Sequence, residues 1–180
     1  MGRSMESNLT RKEPRPFRVG IFATVEQADR AVDGLLKAGF TKDHITVVCS
    51  DKTKEDHFRG FEHQKPAGTT TPLAAATGSA IGALMGGLAS VATIAATGGL
   101  GIIIAGPLFA GTGAIVGGLV GAMTTRGVEH ELADYYDQAV TKGKILVAAE
   151  DHTENHARNL GRAEQILAEA GAEPIALRES

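Results

Sequence analysis

The chain has 180 residues, enough for one domain, or one small domain carrying an insertion, with a core of ordinary size. Its formal charge of -3, with Lys and Arg mixed among Asp and Glu, lacks the basic field that nucleic-acid binding requires. A single cysteine, Cys49, excludes an intrachain disulfide and has no second Cys or His at zinc-motif spacing, so a reducing compartment fits best.

The first segment, residues 1–16, sets Arg3, Arg11, Lys12 and Arg15 among polar residues and prolines without the apolar run of a secretory signal. It is predicted to be a disordered tail. Glu6 stands where a myristoylation motif wants Ser or Thr, so Gly2 is not read as a lipid anchor.

Residues 17–65 hold a first β-α-β half and a loop. Phe17 to Ala23 is β-like, and Thr24 with Gln27 three residues on forms a capping-box pattern for the helix that follows. Ala28, Val32, Leu35 and Leu36 share one face of that helix, Gly39 supplies its C-cap, and Ile45 to Cys49 is the second strand. The loop from Ser50 to Lys65 carries His57, His63, Phe58 and Phe61 among mixed charges, and is read as a cover for the domain or a segment lying on a membrane surface.

Residues 66–125 contain no Asp, Glu, Lys, Arg or His. Small residues recur every fourth position at Gly78, Gly82 and Gly86, in register with Ala74 and Ser90, and again at Gly113, Gly117 and Gly121. Residues four apart share a helix face, and a face without side chains lets two backbones approach closely. The segment is therefore predicted to be a glycine-zipper helical hairpin with halves at 73–97 and 100–124, turning at Gly98, Gly99 and Gly101. Ile81, Leu84, Leu88 and Val91 of one half, and Ile115, Val116, Leu119, Val120 and Met123 of the other, are expected to face lipid or neighbouring subunits.

Each half, about 37 Å long as a helix, suffices to cross a hydrocarbon core near 30 Å, and Arg59, Lys65, Arg126 and Lys142 mark the flanks as cytoplasmic. Against a span stand the weak hydrophobicity of Ala, Gly and Thr and the interruption at Pro107. The alternatives are a soluble oligomer with the zipper helices in a protected core, and a low-complexity linker, which the apolar content opposes.

Residues 126–180 hold a connecting helix and the second β-α-β half. Val128, Leu132, Tyr135, Tyr136 and Ala139 follow helical spacing up to Gly143, and Lys144 to Ala149 is a strand. Thr153 is read as the cap of a helix with Ala157, Leu160, Ile166, Leu167 and Ala170 on its apolar side. Gly171 ends it and Ile175 to Leu177 is the last strand. Two such halves predict an α+β, ferredoxin-like four-stranded antiparallel sheet, strand order 4-1-3-2, with both repeat helices on one face. A doubly wound parallel sheet is the rival, opposed by four short strands and the lack of a phosphate-loop turn.

The segment from Pro66 with its AGP at Ala105 to Pro107 and GAIVGGLVGA at Gly113 to Ala122 resembles bacterial general stress proteins of the heat-induced type. So do EHELADYYDQAVTKGKILVAAED at Glu129 to Asp151 and the opening FRVGIFATVEQADRAVDGLLKAGF. The resemblance implies a bacterial, cytoplasm-facing protein associated with stress and with membranes, and it brings no catalytic residues.

No catalytic site is read from the residues. His152 and His156 are four apart but straddle a helix start, and are read as solvated surface histidines, so no metal is expected. Asp134 and Asp137 are assigned to a polar helix face, and no Gly-Lys-Ser/Thr follows a strand. The chain is expected to be a non-enzymatic stress-associated protein without cofactors. Its α/β domain is expected to be anchored at a membrane and homo-oligomerised by the hairpin, with no nucleic-acid partner. A soluble oligomeric scaffold is the first alternative and a sensor of an unspecified small molecule the second.

Overall fold

The computed structural model describes residues 17–50, 52–53, 56, 80–81, 100–104, 118–151 and 153–174, the strand at 100–104 through its backbone. The first unit runs β1 (Phe17–Phe22), α1 (Val25–Lys37), a short 3-10 turn (Lys42–His44) and β2 (Ile45–Ser50). Thr24 and Gln27 close the capping box reciprocally: the Thr24 hydroxyl accepts the Gln27 N–H, and the Gln27 carboxamide accepts the N–H of Thr24. The helix ends as the sequence expects, with Gly39 at a φ of 98°.

After β3 (Leu100–Ile104) come α2 (Gly118–Thr124), α3 (His130–Thr141), β4 (Ile145–Glu150) and α4 (His156–Glu169). The strands form one antiparallel sheet in the order β1-β4-β2-β3. The three strands expected at 17–23, 45–49 and 144–149 take the relative places the sequence reading assigns them, with β4 between β1 and β2. The strand expected at 175–177 lies outside the described residues, as does the tail at 1–16.

The sheet is covered on both faces. On one, Ala28, Ala31, Val32 and Leu35 of α1 and Ala163 and Leu167 of α4 pack on Phe22, Ile45, Val47 and Val147. On the other, Leu119 and Met123 of α2 and Ala133, Tyr136 and Val140 of α3 pack on Ile21, Val48 and Leu146. Strands buried on both faces need no polar alternation. β2 and β4 are accordingly buried at every position. The helix read as a connector is thus half of a second layer.

Two expectations for the Gly/Ala segment need correction. Leu100–Ile104, read as the start of a zipper helix, is a strand hydrogen-bonded to the outer edge of β2. Three consecutive isoleucines are stiff at χ1 and favour extended backbone, and the glycines that read as a helical turn instead flank an edge strand. Second, Ile81, Leu119 and Met123, expected to face lipid or other subunits, have no exposed surface: Ile81 sits in the α1-side core and the other two in the α3-side core. Burying such a side chain is worth about 1.5–3 kcal/mol, and these faces of the sheet supplied the apolar partner. The Asp29 carboxylate also accepts the Ile81 backbone N–H at 2.9 Å.

The end of the segment shows the same departure. α2 begins at Gly118, whose φ of 58° is left-handed, whereas an unbroken helix from Gly113 to Gly121 needs a right-handed residue there. Among the described residues no helix is long and apolar enough to cross a membrane.

Candidate functional site: an apolar groove over a buried ion pair

At the outer edge of β1 lies a groove of about 680 Å³ between α3 and α4. Phe17 and Val19 of β1 form one wall, Val128, Leu132 and Tyr136 the second, and Leu167 and Ala168 of α4 the third. The period of two in β1 directs Phe17, Val19 and Ile21 to the α3 side, while Phe22 packs on the α1 side. The groove therefore continues the α3-side core to the surface.

Arg126 lines this groove, and its Nη1 donates to Glu150 Oε1 at 2.5 Å, with side chains 5% and 4% exposed. Removing two charges from water costs several kcal/mol each unless they are paired and hydrogen-bonded, so the pair is a strong local constraint rather than an ordinary surface bridge. Glu150 ends β4 opposite Phe17, and Arg126 follows α2 in the turn that leads to α3. The pair thus ties the end of the Gly/Ala segment to the sheet. At the lip, Arg18 Nε donates to Glu164 at 3.0 Å, an exposed contact of small energetic weight.

Next to Glu150, Asp151 is 3% exposed and organises the approach to α4. It accepts the Thr153 N–H at 2.9 Å, the Thr153 hydroxyl at 3.0 Å and the Asn159 carboxamide at 2.6 Å. Burial works to raise this carboxyl, but the bonds from the Thr153 backbone, Asn159 and the Thr153 hydroxyl, with His44 nearby, outweigh it and hold it below the ordinary value. Tyr136, in the groove wall, is pushed up to about 12 by burial and then by Tyr135. This suits a neutral hydroxyl in an apolar wall.

Of the zipper residues, Gly121 lies in α2, and among the described residues no neighbouring atom comes within 4 Å of where its Cβ would stand. Gly78, Gly82, Gly86, Gly113 and Gly117 lie outside the described residues. Arg126, read as a charge flanking a membrane hairpin, is instead buried and paired, because Glu150 offers it a carboxylate inside the domain. Lys142 is exposed, while Arg59, Lys65 and the loop residues His57, Phe58, Phe61 and His63 lie outside the described residues.

The remaining candidates carry no assembled chemistry. His152 is outside the described residues, and His156 Nδ1 faces the Thr153 carbonyl at 3.1 Å. Thr153, read as the helix cap, serves Asp151 instead, and the N-cap position falls to Asn155. Asp134 pairs with His130 at 2.9 Å on an exposed face, and Asp137 is raised by burial and then by Asp134. Among the described residues no group of three His, Cys, Asp or Glu is placed to hold a metal ion. The ion pair was the feature missed from sequence. Its signal was an arginine directly after a charge-free run, with a carboxylate closing a strand of otherwise apolar residues.

Residues 18–100 match the family model described as the heat induced stress protein YflT domain. The match covers β1, α1 and β2 and runs to the first residue of β3, whereas the resemblance read from sequence extended past β4. No curated protein and no solved structure matches at a significant level.

Proposed function

The chain carries a domain of the heat-induced stress protein family, and on that premise we propose that it is a non-enzymatic, stress-associated binding protein that self-associates through its Gly/Ala segment. The α/β domain is read as ferredoxin-like, with a strand at 175–177 completing the sheet beyond β1 and β3 added by the insertion. Its groove is apolar, and its one buried charged pair is internally neutralised, which suits adhesion to an apolar segment better than proton transfer or electrophilic chemistry.

The observation that carries the assembly reading is the full burial of Ile81, Leu119 and Met123 within the domain. The described parts of the charge-free segment lean on protein, which supports reading protein contacts of the same kind for this segment. A second reading, membrane association with the domain facing the cytoplasm, is supported by the sixty uncharged residues themselves. A carbonate wash of cell membranes separates them: release into the soluble fraction is expected, and retention in the pellet would favour the membrane reading.

A further inference from the structure

We draw no further inference here: the strongest candidate, the polar cleft between the first turn of α1 and the C-terminal end of α3 with Lys52 and Lys142 at its rim, is a helix N-terminus beside two exposed lysines, and no second observation among the described residues points to a ligand in it.

Discussion

Arg126 and Glu150 meet across 24 positions of sequence to form a buried charged contact. Removing one partner leaves the other buried and unpaired, so Glu150→Leu or Arg126→Met alone is expected to lower stability by about 3–5 kcal/mol. The double variant is expected to recover most of that loss, because two apolar side chains fill the space without desolvated charge. Urea unfolding of the three variants checks this, and additive losses would contradict it. Asp151 makes a separate, pH-dependent contribution. Its folded-state carboxyl is depressed, so its stabilisation is complete above the ordinary Asp value of about 4 and is lost as pH falls through the lower folded value. Asp151→Asn is therefore expected to be less stable than the parent at pH 7, with the difference shrinking in acid below pH 4. A difference that stays constant or widens in acid would show that the Thr153 and Asn159 bonds do not depend on the charge.

Among the helices, α1 and α4 meet closely at Gly34. A Cβ on Gly34 would stand 2.7 Å from Ile166 Cγ2, so this glycine admits the opposing helix. Glycine inside a helix costs roughly 0.5–1 kcal/mol against alanine, and Gly34→Ala would recover that only if the neighbour can retreat. The β-branched Ile166 has little freedom to do so. Gly34→Ala is expected to destabilise the parent and to stabilise an Ile166→Ala background by up to about 1 kcal/mol, read as thermal shifts; the same sign in both would refute the contact as the cause. At this scale much was legible. The Thr24/Gln27 box and the positive-φ glycines Gly39, Gly143 and Gly171 follow from chemistry within a few residues, and so they could be read locally. Asn155 in place of Thr153 was not legible, because the Thr153 hydroxyl is claimed by Asp151. Nor was β3: Ile102 to Ile104 suit a strand, but only the open edge of β2 decides that they form one.

Across the whole molecule, the sheet is buried on both sides by helices drawn from different parts of the chain. The repeat of β-α-β halves announced α1 and α4 because each carries its own apolar stripe. The second layer was less visible, since α2 comes from a segment whose Gly and Ala residues read equally as lipid-facing or protein-facing. Periodicity shows that a face is apolar and does not say what meets it. The groove was illegible for the same reason: Phe17, Leu132 and Leu167 come from three elements and converge only in the folded chain. The proposed self-association requires the charge-free segment to be satisfied by protein contacts, within the domain at its described residues and between copies elsewhere. Light scattering coupled to size exclusion, on the full chain in detergent-free buffer, tests this most directly. A single defined oligomer is expected, and a monodisperse monomer, or protein that stays dispersed only in detergent, would contradict it.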